Sequence, residues 1–342
     1  MNIQKNVPLK DFSTMKLGGV AHEISEAKSI DEVIKLTKHA RENNLPFYIL
    51  GGGSNTLIHD EGFAGIVILN RIPGFEIINE TDQDATIKIG AGETWDDVVK
   101  KTTDLNLSGI ECMSFIPGTA GAAPVQNIGA YGQEISDTLV SLEAYDTETD
   151  TIVTLTNNDC EFSYRHSIFR GSEARRYIIV NITINLKKST PKQPFYQAIQ
   201  DYLDKNNIKE YTPSMLREIV INIRKNKLPD PKVLPNTGSF FKNAIVSKQI
   251  VDNITSEYPD APIYKISDNQ FKVPTGWLIE KTGLKGLEFN GMRVYEKNAL
   301  VLINSSAKCF SDLLAARNHI ISAVYDKFNI TIEQEPLEMP IK

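Results

Sequence analysis

Residues 117–132, reading PGTAGAAPVQNIGAYG, constrain the fold more than any other stretch of the chain. They show neither a helical nor a strand period and carry almost nothing bulky to bury. A loop that long inside a compact domain is ordinarily functional. A second small-residue run, Gly51-Gly52-Gly53-Ser54-Asn55, follows the apolar stretch 47–50, which reads as a buried strand, so this loop sits at a strand end. Without bulky side chains, backbone N–H groups in such loops can approach phosphate oxygens and form an anion nest. Each loop alone is equally an ordinary tight turn. Together on one domain they favour a dinucleotide pyrophosphate. The first loop is not a Walker motif, because no Gly-Lys-Ser/Thr follows, and Thr56 stands where the third glycine of a Rossmann fingerprint belongs.

The surrounding pattern mixes the two periods. Ser29 and Glu32 form a capping box ahead of Ile30, Val33, Ile34 and Thr37, predicting an amphipathic helix over 29–40. Strands are expected at 65–70, 85–89, 139–145, 151–155 and 177–186, with a helix at 94–105. The Pro- and Ser/Thr-rich stretch 187–194 marks a composition break. Beyond it, Thr212 as cap and Pro213 at the first helical position open a helix with a Leu216, Ile219, Val220, Ile223 stripe, which Pro229 stops. Further strands are expected near Phe240, at 299–303 and at 330–333, and helices at 275–282 and 311–328. The class is α+β.

At 342 residues the chain is too long for one typical core and is expected to divide into two or three domains. Hydrophobic content of 41% and charged content of 23% describe an ordinary globular protein. The net charge of -6 and the scatter of Lys and Arg argue against nucleic acid as a partner. The N-terminus lacks the apolar core of a signal peptide and the richest apolar run is too short to span a bilayer, so a cytoplasmic protein with no membrane insertion is expected. Three widely spaced cysteines fit a reducing compartment, and the isolated histidines give no metal-ligand spacing. No metal is expected.

Six strings, LGGGSNTLI, SFIPGTAGAAPVQNIGAYG, FSYRHSIF, RKNKLPDPK, NTGSFFKN and IEQEP, occur in this order across nearly the whole chain. In order and spacing they resemble the UDP-N-acetylenolpyruvoylglucosamine reductase family, flavoenzymes that complete UDP-N-acetylmuramate for peptidoglycan. The resemblance implies two N-terminal lobes that bind noncovalent FAD in the vanillyl-alcohol-oxidase manner, and a C-terminal α+β lobe for the UDP-sugar. The corresponding boundaries are 1–70, 71–210 with an extra Tyr segment, 211–330, and a tail 331–342 carrying Glu335. NADPH is the implied reductant and a monomer is expected.

Residue by residue, the resemblance implies FAD contacts from Gly51, Gly52, Gly53, Ser54, Asn55, Pro117, Gly118, Gly121, Ala122, Ala123, Gln126, Asn127, Gly129, Ala130, Tyr131 and Arg224. Arg165 would hold the enolpyruvyl carboxylate, as a guanidinium fork meets carboxylate oxygens bidentately. Tyr164 beside it is either a ligand-contacting phenol or core packing. Ser239 matches the proton donor, a role that by residue type alone an ordinary strand serine would not suggest. Lys227 and Glu335 match the groups that assist it, with Glu333 as a rival carboxylate because Gln334 stands where the family more often has Pro. The match also gives Lys227 a substrate diphosphate or NADPH role; Lys227 and Arg224, three residues apart on one helix face, would otherwise be cations complementing a helix C-terminus. Tyr196 in the extra segment and Asn243 complete the implied substrate contacts.

Overall fold

The computed structural model describes residues 2–340. The chain forms two compact units that interleave in sequence. One is built mainly from Ala21–Gly53 and Phe63–Lys225; the other takes Pro8–Val20, Ser54–Gly62 and the chain from Asn226 onward.

In the first unit, Ser29 caps its helix as read, but the box does not close: Glu32 donates its backbone N–H to the Ser29 hydroxyl at 3.2 Å, while its carboxylate accepts at 2.6 Å from Lys28 N, one residue before the cap. The helix Ile30–Glu42 buries Val33, Leu36 and Ala40 against Ile66 and Ile68. Those isoleucines belong to Phe63–Asn70, which pairs in parallel with both Val20–Ala27 and Phe47–Leu50. A five-stranded antiparallel sheet follows, in the order Thr151–Thr156, Leu139–Asp146, Tyr177–Lys187, Asp84–Gly90, Phe75–Glu80. Its inner face packs under Trp95, Val98 and Val99 of helix Trp95–Asp104. Beyond the composition break, helices Gln197–Lys205 and Pro213–Lys227 share a cluster of Ile199, Leu203, Leu216, Ile219, Val220 and Ile223. Thr212 accepts from Met215 N at 3.2 Å, the expected cap.

The second unit is also α+β. Helix Phe310–Phe328 buries Leu313, Ala316, Ile320 and Val324, a stripe of i+3 and i+4 steps, against Phe240, Phe241, Val273 and Ile279. Strand Thr56–Ile58, directly after the glycine run, pairs in parallel with Leu337–Met339. The strand expected at 330–333 does not form as one. Chain pairing there is limited to an isolated bridge between Gln334 and Phe241, and the regular strand begins three residues later. The apolar alternation at Ile330 and Ile332 reports burial in the core of this unit and not a ladder. Among the described residues, no helix is long and apolar enough to cross a membrane.

Cys112 and Cys160 are buried, and desolvation pushes both thiols up, Cys160 to about 12, so neither offers a thiolate at neutral pH. An ion pair between a buried carboxylate and a partly exposed arginine supplies one stability test. Arg176 donates to Asp146 at 2.9 and 3.1 Å, and these bonds hold the 2%-exposed Asp146 at about 2 against an ordinary 3.8. A depressed carboxylate contributes stability that is complete above its unfolded value and lost as pH falls through the folded one. Asp146→Asn is therefore expected to melt several degrees below the parent at pH 7, with the gap closing as pH falls from 3.8 towards 2; thermal melts across that range measure it.

Candidate functional site

The two small-residue loops meet within the first unit. Two of the glycines are small because a neighbour is close: a Cβ on Gly52 would lie 3.0 Å from Gly118 Cα, and one on Gly121 would lie 2.5 Å from Ala91 Cβ. Arg71, at the end of strand Phe63–Asn70, donates to Gly51 O at 2.9 Å and holds the first loop from behind. In the second loop the N–H groups of Ala120, Gly121, Ala122 and Ala123 are engaged by backbone carbonyls of Glu93, Ala91, Thr119 and Ala120. These residues can therefore serve a ligand by small size, and the nest-like role falls on the Gly51–Gly53 side. Packed this closely, two loops of small residues offer a ligand backbone in place of bulky side chains, which a dinucleotide pyrophosphate needs, and the residues fit FAD in that respect. Ser54 and Asn55 continue the run and belong to the second unit.

The loop 117–132 breaks into single 3-10 turns at Ala120–Ala122 and Pro124–Gln126 and a short pair of Gly129–Ala130 with Gln133–Glu134. Four residues in and around it, Phe115, Asn127, Tyr131 and Arg165, have φ of 60°, 47°, 50° and 53°. Left-handed backbone at a non-glycine residue costs energy and gathers where a site demands it. Arg165 is the clearest case. Ser163 and His166 exchange backbone hydrogen bonds, each 3.1 Å, leaving Tyr164 and Arg165 as the two residues of the tip. Arg165 takes the left-handed position that such a turn usually gives to Gly or Asn. Its guanidinium donates to Gly129 O at 2.9 Å and Asn127 O at 3.4 Å and lies 5.3 Å from the Tyr164 ring centroid. Tyr164 is 40% exposed and walls an open cavity of about 370 Å³ with Asn127, Glu134 and Glu161, which removes the core-packing alternative.

The same segment is stitched to the loop twice more. Ser167 donates to Val125 O at 2.6 Å and Arg170 to Gln126 Oε1 at 2.8 Å. Sequence reasoning passed over both, and also Asp96. The Asp96 carboxylate accepts from Phe115 N at 2.5 Å and from both Nη atoms of the buried Arg217 at 2.6 and 2.9 Å. Desolvation would raise it, but these bonds win and hold it below its usual range. Asp96 thus ties the residues just before Pro117 to the helix that carries Arg224 two turns beyond Arg217. An Asp in the first turn of a helix reads locally as nothing more than a dipole partner, so no sequence signal distinguished it.

Arg224 is partly buried: desolvation pulls its guanidinium down, opposed by Tyr131 and Asp96. Its Nε has no hydrogen-bond partner among the described residues. Burial in turn pushes the Tyr131 phenol up. Tyr196, 53% exposed, meets Tyr131 edge-on with centroids 5.5 Å apart, which brings the extra segment against the loop.

The second unit holds the remaining residues. Ser239 follows left-handed Gly238 and bridges Val301, with Phe240 N donating to Leu300 O at 2.7 Å. Glu335 N donates to Phe240 O at 2.8 Å, so the IEQEP segment runs beside the stretch Ser239-Phe240-Phe241, which makes isolated bridges and no regular strand. Glu333 is 73% exposed at its side chain and pairs with Lys242 at 3.2 Å, whereas Glu335 is half-buried. The Asn243 carboxamide oxygen accepts from Thr275 N at 3.2 Å and so caps a helix. Lys227 is the last residue of helix Pro213–Lys227.

Residues 22–156 match a family model described as FAD binding domain, and residues 230–338 match UDP-N-acetylenolpyruvoylglucosamine reductase, C-terminal domain. The chain is 41% identical to UDP-N-acetylenolpyruvoylglucosamine reductase of Flavobacterium johnsoniae, over 98% of this chain and 99% of that protein. It is 36% identical to the protein of that name from Photobacterium profundum, over 98% and 95%. Among solved structures, UDP-N-acetylenolpyruvylglucosamine reductase from Thermus caldophilus superposes with a TM-score of 0.67 at 22% identity, covering 99% of this chain and 100% of that one. The fold is thus shared from end to end.

Proposed function

The chain belongs to the UDP-N-acetylenolpyruvoylglucosamine reductase family, and from that membership we infer how its own residues divide the work of the reaction. It carries out the FAD-dependent reduction of UDP-N-acetylenolpyruvoylglucosamine to UDP-N-acetylmuramate, with NADPH as reductant, in peptidoglycan synthesis. When bound, FAD supplies two-electron hydride chemistry between NADPH and the enolpyruvyl ether.

Residues 51–55 and the small-residue stretch from Pro117 to Tyr131 receive the cofactor, with Arg224 a further contact. Arg165 binds the enolpyruvyl carboxylate and takes up the negative charge that grows there as the neighbouring carbon becomes carbanionic. Ser239 gives its hydroxyl proton to that carbon. A serine is a weak acid, so it needs help from neighbouring charge, supplied by Lys227 and Glu335. Glu335 is preferred to Glu333 because the latter is exposed and already paired with Lys242. Tyr164, Tyr196 and Asn243 line the sugar nucleotide's path. The supporting observation is the turn at Arg165, whose strained backbone and two carbonyl tethers keep one cation fixed on the cofactor loop. The three isolated cysteines and the NADPH requirement suit a cytoplasmic location.

The cofactor reading is tested first. The purified protein is expected to be yellow, to release all flavin into the supernatant on acid precipitation, to bleach with NADPH and to recover colour with the enolpyruvyl sugar. Colour left in the acid pellet, or a colourless protein that FAD cannot reconstitute, would overturn it. Gly52→Val, which forces the loops apart, should weaken FAD retention at least tenfold, about 1.4 kcal/mol, measured by flavin fluorescence during dialysis.

A further inference from the structure

Glu335 lies between two residues whose freedom is removed by different means. On its C-terminal side, Pro336 has a locked φ and restricts Glu335 to extended backbone. On its N-terminal side, every polar atom of the Gln334 side chain is engaged. Its Oε1 accepts from Arg317 Nη1 at 2.5 Å, and its Nε2 donates to Pro336 O and to Glu338 Oε1, each at 3.1 Å. The same Arg317 nitrogen donates to Glu338 Oε1 at 2.9 Å, and His59 Nε2 lies 2.8 Å from the other Glu338 oxygen. His59 is buried and stacks on Phe310 at 4.0 Å between centroids, while Arg317 stands on helix Phe310–Phe328. The carboxamide is thus moored to the unit's longest helix and to its terminal strand at once.

Successive side chains of an extended segment leave on opposite sides. Holding the Gln334 side chain towards Arg317 and Glu338 therefore directs that of Glu335 the other way, and the bond from Glu335 N to Phe240 O fixes its height against the residue next to Ser239. The geometry points to Arg317, Gln334 and Glu338 as positioning residues that hold the Glu335 carboxylate in a single orientation for the reaction. This rests on the reading of Glu335 given above. None of the three needs to touch substrate or cofactor, so their effect is expected only through Glu335.

The experiment is a double-mutant cycle on the FAD-loaded enzyme, following flavin absorbance in each half-reaction by stopped flow. Gln334→Ala is expected to slow reoxidation by the enolpyruvyl sugar about ten- to a hundredfold, the usual scale for a misplaced catalytic group. Substrate affinity and reduction by NADPH should stay within about threefold of the parent, a change under 1 kcal/mol. Glu335→Gln should be slower still, and Gln334→Ala placed on that background should cost nothing more, because the group it positions is already gone. Arg317→Lys, which keeps the charge, should fall between parent and Gln334→Ala and serves as the second variant should the first not fold. Full additivity of the two substitutions would make Gln334 a general structural residue and overturn the proposal. A slow Glu335→Gln beside a Gln334→Ala at parental rate would overturn the clamp and leave Glu335 in place. A Glu335→Gln at parental rate would instead remove Glu335 from the mechanism, and the clamp with it.

Discussion

Ser239→Ala is expected to leave reduction of the flavin by NADPH near normal while turnover with the enolpyruvyl sugar falls about a hundredfold to ten-thousandfold, on the order of 3 to 5 kcal/mol in the barrier. The substitution removes the one proton the side chain can give and little else. Phe240 N to Leu300 O and Glu335 N to Phe240 O are backbone bonds, and the left-handed turn at Gly238 precedes the position, so the local frame does not depend on the hydroxyl. Ser239→Cys carries a more acidic proton in nearly the same volume and should recover part of the rate. Stopped-flow absorbance of both half-reactions in the three proteins decides the matter. An alanine variant within about threefold of the parent, well under 1 kcal/mol, would transfer the proton-donor role to water or to Glu335.

Arg165→Ala should slow reoxidation by substrate by on the order of a hundred- to a thousandfold, the scale on which loss of one donor at a developing anion is felt. Reduction by NADPH develops no charge on the enolpyruvyl group and should change much less. The backbone offers an internal control. Because Arg165 occupies a left-handed turn position, Arg165→Gly relieves strain and Arg165→Ala does not, so a structural role would make the glycine variant the faster one. Equal and selective loss of the second half-reaction in both variants assigns the effect to the guanidinium. Slowing of both half-reactions alike would instead mean that the tethers to Asn127 and Gly129 matter chiefly for the shape of the cofactor loop.

Features written in short stretches of chain were legible before any coordinates. The Ser29 cap on Glu32 N, the Thr212-Pro213 helix start and the apolar stripe from Leu216 to Ile223 each depend on residues within two or three turns of one another, and each formed. The absence of period across 117–132 likewise identified a loop, although the burial of Ala120 and Ala123 in the core of the first unit was not legible from it. Motif order then named a family, and with it candidate residues, although not what holds any of them in place.

Tertiary structure decided the rest, and the reason is separation along the chain. Glu338 reaches His59 across 279 positions, and Asp96 reaches Arg217 across 121; no periodicity or cap reports a partner that far away. The strand at Thr56–Ile58 takes its partner from Leu337–Met339, so the unit that holds Ser239 and Glu335 borrows a piece of chain lying directly after the glycine loop. The apolar alternation at Ile330 and Ile332 was legible as buried, but burial is satisfied equally by a ladder or by packing under a helix, and only the assembled core selects between them. By itself the sequence determined the local elements, the small-residue loops and the family; the left-handed turn that presents Arg165, the Asp96 link and the Gln334 moorings exist only where distant segments are pressed together by the burial of their apolar faces.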